Sequence, residues 1–175
     1  MTVWYPSDSI ILTRGRDPFG ELLNMTGGFP LEWAGKTWKS SEALYQAARF
    51  PDDESIQEEI RGANNGFTAK LIAKAHHVET RSDWETGGVR LSAMIQVCTL
   101  KMEQHQRVRL ALALTEHKPI VERSKRDQFW GTKPQEDGTL VGDNMLGKIW
   151  MNLRFGRLME YDKTLPGNII SDFFC

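Results

Sequence analysis

The sequence predicts a helix-rich α+β fold in a single domain over residues 1–175, with a small antiparallel β element. The length of 175 residues lies within the range of about 100–200 residues that one domain usually takes. Apolar residues recur at helical spacing in several segments, whereas strand-like runs are short. Neither an internal repeat nor a regular alternation of strands and helices occurs, so a parallel βαβ architecture is not expected.

Capping residues, turn residues and apolar spacing predict the elements in order. The first half is predicted to hold a strand ending at 10–13 and a hairpin over 30–38 that turns at Ala34-Gly35. A helix capped by Ser40 or Ser41 should follow and be ended or interrupted at Pro51, and further helices are predicted over 54–62 and 68–75. The second half is predicted to hold helices over 89–105 and 108–114, a strand over 120–122, a long polar loop over 127–143, a helix from Asn144, and a tail over 162–175 that docks on the body.

Composition narrows the class of protein. Lys and Arg number 22 against 23 Asp and Glu, a net charge of −1, which argues against a chain that coats nucleic acid by bulk charge but leaves a local basic groove open. Two cysteines, Cys98 and Cys175, form no disulfide framework and suit a reducing compartment. The first residues lack a signal-peptide pattern and no apolar run reaches about 18 residues, so we expect a soluble, cytoplasmic protein without membrane contact.

Metal, phosphate-loop and acyl-transfer chemistry are not expected. The pair His76-His77 and Cys98 lack the ligand spacing of a zinc site. The glycine pairs at 27–28 and 87–88 lack the surrounding pattern of a phosphate-binding loop. No Ser or Cys has a nucleophile setting, and we therefore expect neither a metal nor a cofactor.

One helix face collects groups that could carry chemistry. Glu42, Tyr45, Gln46 and Arg49 fall at i, i+3, i+4 and i+7 of the helix that follows Ser40. A simpler interpretation is that Glu42 and Arg49 complement the helix dipole at opposite ends of a surface helix. On spacing alone, this simpler interpretation is favoured.

Other polar residues also have simple structural interpretations. Asp127 could cap its own backbone in a turn that Trp130 pins to the core. Asn144 could cap a helix, Lys101 could be a surface lysine with a packed stem, and Arg154 could lie on a solvated helix face.

Together, however, these segments resemble the NADAR family in order over 24–154. Three matching pieces lie in the first half: the loop at Asn24, the helix within Trp38–Pro51 with its Ser-Glu, Gln and Arg-Phe, and the turn 68–70. The other three are the spacing of Trp84, Met94 and Lys101, the element Ile120–Ser124 with Asp127, Trp130 and Gly131, and the final segment 142–147 with Met151 and Arg154. Each piece is short, but six in register form a specific signature.

The resemblance implies an N-glycosidase that cleaves a bond between ribose C1 and nitrogen, in ADP-ribosylated guanine of nucleic acid or in ribosylaminopyrimidine intermediates of the riboflavin pathway. Its partner would be a nucleotide or ADP-ribosyl substrate, including ADP-ribosylated DNA; the oligomeric state stays open. The resemblance assigns catalysis to Glu42 and Asp127, stacking to Trp130, contacts with hydroxyls or the base edge to Asn24, Gln46 and Asn144, phosphate contacts to Arg49, Lys70, Lys101 and Arg154, and a place in the substrate site to Gly131.

Arg49 departs from the family pattern, because many relatives carry Lys there and an amine could form a Schiff base with opened ribose. An arginine is always protonated and cannot do so. Direct hydrolysis assisted by Glu42 and Asp127 is our working hypothesis, with Lys70 or Lys101 as the alternative amine. Two rival functions stay open: a non-catalytic module that binds ADP-ribose or another nucleotide, and a structural or partner-binding helical domain.

Overall fold

The computed structural model describes residues 1–86 and 88–156, and the predicted C-terminal tail lies outside them. Its elements are the strands β1 (Thr2–Trp4), β2 (Ile10–Leu12), β3 (Leu31–Trp33), β4 (Lys36–Trp38), β5 (Ile120–Glu122), β6 (Lys133–Pro134) and β7 (Leu140–Gly142), and the helices α1 (Ser41–Ala47), α2 (Glu54–Gly62), α3 (Gly66–Ala75), α4 (Val89–Gln104), α5 (Gln106–Leu114) and α6 (Met145–Arg154). The predicted helix-rich α+β class is confirmed. Within the described ranges, none of the helices is long and apolar enough to cross a bilayer.

Two compact units make up the described chain. The first unit comprises Met1–Leu23 and residues 105–156, and the second unit comprises the described part of Asn24–Gln104. The prediction of one domain over 1–175 stays a prediction.

In the second unit, the predicted hairpin is confirmed as β3 and β4, which pair antiparallel with Leu31 opposite Trp38. Its two turn residues, Ala34 and Gly35, have φ of 49° and 71°. Positive φ at both positions is the requirement of a type I′ turn, one of the two common two-residue connections between antiparallel strands. Glycine adopts this conformation freely, whereas alanine is strained there.

Helix α1 is the centre of the second unit, because all seven of its residues are buried and it packs against α2, α3 and α4. Ser40 caps it: the Ser40 Oγ accepts from the Ala43 amide at 3.1 Å. Of the two predicted caps, the structure therefore selects Ser40. Helix α3 begins two residues before its predicted start, because the Asn65 side chain caps it by accepting from the Thr68 amide at 2.9 Å.

In the first unit, the predicted long loop over 127–143 is wrong in part, since it contains β6 and β7. Strand β7 pairs antiparallel with both β1 and β6. Its partner in β1, with Thr2 opposite Gly142, lies at the other end of the chain, where local patterns cannot indicate it. The intervening turn at Asp137-Gly138, with Gly138 at φ 82°, is a hairpin signal that the prediction missed.

A parallel pair, β2 with β5, adds to the predicted antiparallel element. Helix α6 packs on β5, and Gly147 allows this approach: a Cβ there would collide with the Ile120 carbonyl oxygen and the Asn144 side chain. The Asn144 amide ties the two elements together, because its Nδ2 donates to the Ile120 carbonyl at 2.8 Å and its Oδ1 accepts from the Glu122 amide at 3.0 Å.

We expect Gly147→Ala to lower the free energy of unfolding by about 1–3 kcal/mol, the usual cost of overpacking. Urea denaturation measures it. The control is Gly62→Ala, since a Cβ at the end of α2 meets nothing within 4 Å and alanine favours a helix over glycine. Equal stability of the two variants would contradict this account of the contact between α6 and β5.

Candidate active site

The carboxylate of Glu42 lies inside the second unit rather than on its surface. Glu42 is the second residue of α1 and is 4% exposed. Burial of a charged group without compensation costs several kcal/mol. A dipole-matching surface role, which spacing alone favoured, does not explain a carboxylate in this position.

Two neutral amides hold the Glu42 carboxylate, one at each oxygen. The Asn24 Nδ2 donates to Oε2 at 2.5 Å, and the Gln46 Nε2 donates to Oε1 at 2.7 Å. Both donors are buried, and hydrogen bonds of this kind stabilise the charged form of a carboxylate. In the described chain no cation lies within ion-pair distance of Glu42. Its negative charge is therefore solvated by dipoles and left available to a cationic partner.

Arg49 extends this chain of hydrogen bonds. Its Nη1 donates to the Gln46 Oε1 at 3.1 Å, which turns the Gln46 amide so that its nitrogen faces Glu42. The guanidinium carbon of Arg49 lies 5.7 Å from the centroid of the Trp84 ring, within the range of a cation–π interaction. Burial lowers the pKa of Arg49 from its ordinary value.

Two polar atoms in this cluster are buried without a partner in the described chain: the Asn24 Oδ1 and the Arg49 Nε. Buried polar groups are almost always hydrogen-bonded, and an exception calls for an explanation. An acceptor and a donor beside a buried carboxylate are suited to a ligand that carries hydroxyl or amide groups.

Tyr45 and Trp84 form an aromatic wall behind the cluster, with ring centroids 5.2 Å apart. Burial, followed by the negative charge of Glu42, raises the pKa of the Tyr45 phenol, so the phenol stays neutral. The predicted site set omitted Trp84, although it belongs to the motif. Its contact with Arg49 comes from a part of the chain 35 positions away, and local spacing does not indicate it.

Gly66 is a second omission from the predicted site. A Cβ at this first residue of α3 would lie 3.0 Å from the Glu42 Cβ and 3.4 Å from the Met25 Cα. The absence of a side chain therefore lets the start of α3 pack directly against the Glu42 Cβ. The only signal in the sequence is a glycine at a helix start, which is common.

In the first unit, Asp127 uses one carboxylate oxygen in a turn. Its Oδ1 accepts from the Phe129 amide at 3.0 Å and from the Trp130 amide at 2.8 Å. Trp130 is half-buried and packs edge-on against Phe129 with centroids 4.9 Å apart. The structural interpretation accounts for these contacts, and a catalytic Asp127 and a stacking Trp130 stay predictions.

Of three predicted substrate-contact residues in the first unit, Asn144 and Gly131 are engaged within the unit, whereas Arg154 keeps one buried donor, its Nε, without a partner in the described chain. Substrate contacts by these residues stay predictions. Asn144 is fully buried and both ends of its amide bond to the backbone of β5. It clamps strand to helix, and it makes no side-chain cap. Gly131 is buried against β5, where a Cβ would lie 2.9 Å from the Glu122 carbonyl oxygen. Arg154 donates to the Thr115 Oγ1 at 2.8 Å and to the Lys118 carbonyl at 2.9 Å, which ties α6 to the end of α5.

The two predicted lysines of the second unit differ in access. Lys70 is exposed on α3, where its amine is free to meet an anion. Lys101 is fully buried in α4, with its Nζ 5.0 Å from the centroid of the Phe29 ring. A phosphate contact for the buried Lys101 stays a prediction. Among the residues described, no three His, Cys, Asp or Glu side chains cluster in a way that could hold a metal ion.

Comparison with known proteins agrees with the motif. The NADAR domain model matches residues 13–156. N-glycosidase YbiA of Shigella sonnei is 33% identical over 138 residues, 79% of this chain and 81% of the relative, and the same figures hold for N-glycosidase YbiA of Escherichia coli. A riboflavin biosynthesis protein of Vibrio vulnificus is 31% identical over 78% of this chain and 34% of its own length. The NMR structure of YbiA from Escherichia coli superimposes with a TM-score of 0.70 at 30% identity, covering 87% of each chain.

We expect Asn24→Asp to make stability fall as pH rises from about 5 to about 8, relative to the unchanged protein. The new carboxylate would face Glu42 at hydrogen-bond distance, and two such groups cannot both ionise. The folded state then holds a proton that the unfolded state releases, so stability is lost as pH rises. Thermal unfolding midpoints across this range test it. Asn64→Asp, at an exposed position of the same unit, is the control, and parallel profiles for the two variants would refute the arrangement.

Proposed function

This chain belongs to the NADAR family and is a glycosidase acting on N-glycosyl compounds, and we propose that it cleaves the bond between a ribose C1 and a base nitrogen. The observation that carries the proposal is the buried Glu42 carboxylate, held by two amides and balanced by no ion pair in the described chain. Carboxylates are almost never fully buried unless they are paired, so a buried carboxylate that has amide donors and no cation calls for a functional explanation.

The reaction explains why an unbalanced negative charge is useful. As the C1–N bond breaks, its electron pair leaves with the base and the sugar becomes oxocarbenium-like, with positive charge on C1 and the ring oxygen. The Glu42 carboxylate stabilises that charge electrostatically, because its donors are already in place before the reaction starts. Water then adds its oxygen to C1, and its proton passes to the departing base nitrogen.

Substrate contacts are supplied by the unpartnered atoms. The Asn24 Oδ1 accepts from a ribose hydroxyl or a base amino group, and the Arg49 Nε donates to a substrate oxygen. Gln46 is a positioning residue, since both ends of its amide are engaged, one by Glu42 and the other by Arg49. We assign Asp127 as the second carboxylate, Trp130 as a stacking surface and Lys70 as a phosphate contact, in keeping with the motif.

The substrate belongs to one of two classes. A riboflavin biosynthesis protein among the relatives supports ribosylaminopyrimidine intermediates. ADP-ribosylated guanine, including that of DNA, is the other substrate class that the motif implies. Both present a ribose joined to a flat nitrogen base, so the same carboxylate and amide contacts serve either one.

The rival function is a module that binds ADP-ribose or another nucleotide without cleaving it. A purely structural helical domain depended on the family resemblance being spurious, and the family match removes that alternative. Incubation with ADP-ribosylated guanine DNA and with ribosylaminopyrimidine phosphate distinguishes the glycosidase from the non-catalytic binding module. Release of free base supports the glycosidase, whereas binding of ADP-ribose without release of base from either substrate supports the module.

We expect Glu42→Gln to reduce kcat by about 10²–10³-fold, the usual effect of removing one electrostatic stabiliser of a transition state. Base release measured by chromatography gives the rate, and circular dichroism verifies the fold. Glu79→Gln is the control, because it removes one carboxylate from an exposed position in the same unit and should leave kcat unchanged. Full activity of Glu42→Gln would reject the assignment.

If the reaction is direct hydrolysis, no Schiff base between a lysine amine and the sugar forms during turnover. Arg49 forms no Schiff base, so borohydride added to the working enzyme should leave its intact mass unchanged. A mass increase equal to the reduced sugar would contradict direct hydrolysis, and peptide mapping would then show whether Lys70 or Lys101 carries it. Arg49→Lys is the matched variant, since it restores an amine at the position where many relatives have one.

A further inference from the structure

A groove lies within the first unit. It is formed by two adjoining clefts of about 530 Å³ and about 310 Å³, which share Thr13, Arg123 and Pro134 in their walls. The larger cleft adds Arg14 and Lys125. We call the combined feature the basic groove.

The cations of the basic groove are not neutralised by neighbouring carboxylates. Arg14, Arg123 and Lys125 are exposed, and none of them forms an ion pair in the described part of the chain. Some cations elsewhere in the described chain are paired, for example Lys36 with Glu58 at 2.7 Å. In a chain of net charge −1, three unpaired cations around one concave surface create a local positive potential.

The fold explains why these cations meet. Strands β2 and β5 are parallel, with Leu12 opposite Glu122, so the chain leaves both strands in the same direction and at the same edge. The Arg123 amide donates to the Leu12 carbonyl at 2.9 Å, which holds the two exit segments side by side. Arg14 on one segment and Arg123 with Lys125 on the other therefore face a common space, although 109 positions separate Arg14 from Arg123.

The smaller cleft adds apolar surface to the basic groove, beside the polar residues Thr13, Arg123 and Gln135. Pro6, Ile11, Pro134 and Leu140 line the smaller cleft. A ligand that fills both clefts is thus extended. It carries negative charge where it meets the cations, and a flat or apolar group where it contacts the apolar side chains. A strand of nucleic acid has this alternation, because charged phosphates repeat beside sugars and bases.

We propose that the basic groove binds the phosphodiester backbone of single-stranded nucleic acid. The choice of nucleic acid as substrate rests on the proposed function, whereas binding of the strand itself does not. A single strand is favoured because an enzyme that acts at a base must reach it outside the stacked duplex. The balanced net charge excludes coating by bulk charge, and a local groove of cations is the arrangement that this composition leaves open.

The test is fluorescence anisotropy with an unmodified, fluorescein-labelled single-stranded DNA of about twenty nucleotides, over a series of salt concentrations. The test variant is Arg123→Gln with Lys125→Gln. The control is Lys74→Gln with Lys118→Gln, which removes the same charge from two exposed positions that do not line the groove. Circular dichroism shows that both variants fold.

We expect the unchanged protein and the control to bind the strand with equal affinity, and the groove variant to bind it at least about tenfold more weakly. The slope of the logarithm of the binding constant against the logarithm of salt concentration should fall in magnitude by about 1.4, because each lost phosphate contact to a single strand accounts for about 0.7. Equal binding by the groove variant and the control would overturn the proposal. So would absence of binding by the unchanged protein, or displacement of the strand by equimolar inorganic pyrophosphate, which would assign the groove to a small phosphate ligand.

Activity measurements on the same variants test the proposal independently. The groove variant should keep its kcat/KM on ribosylaminopyrimidine phosphate and lose it on ADP-ribosylated guanine within an oligonucleotide. Equal losses on both substrates would count against a strand-binding groove. Because the anisotropy measurement uses unmodified DNA, a failure of the glycosidase assignment does not affect it.

Discussion

The hydrogen-bonded burial of the Glu42 carboxylate is the constraint around which the second unit is organised. An ionised carboxylate in a protein interior requires donors at both oxygens, and here they come from a loop residue, Asn24, and from the next turn of the same helix, Gln46. The lack of a side chain at Gly66 lets α3 pack against the Glu42 Cβ. The complete burial of α1 thus serves chemistry as well as packing.

The first unit depends on a different contact, between β5 and α6. The Asn144 amide bonds to the backbone of β5 at both ends, and the lack of a side chain at Gly147 lets the helix approach. The same strand pairs with β2, so one short element positions the turn of Asp127 and Trp130 on one side and the basic groove on the other. Arg154 completes the unit through its bonds to Thr115 and Lys118.

The family motif therefore contains residues with two kinds of role. Asn24, Glu42, Gln46 and Arg49 form one connected polar cluster and are suited to chemistry. Asn144, Gly131, Arg154 and Lys101 are engaged in packing or in bonds to the backbone. A motif records every residue that the fold or the reaction requires, and it does not separate the two. Hydrogen-bond partners show how each residue is engaged: both ends of the Asn144 amide are bonded, whereas the Arg49 Nε and the Arg154 Nε have no partner in the described chain.

By itself, the sequence determined the local elements and the family. Helical spacing, caps and turn residues located all six described α-helices, the hairpin at Ala34-Gly35 and the strand β5, because those signals depend on neighbours a few positions apart. Motif order identified the family and singled out Glu42. Tertiary structure decided what depends on distant partners: the pairing of β7 with β1, the burial of Glu42 that rules out a surface role, the clamp made by Asn144, and the meeting of Arg14 with Arg123. Long-range pairing and solvent exclusion are properties of the folded chain, and no local pattern carries them.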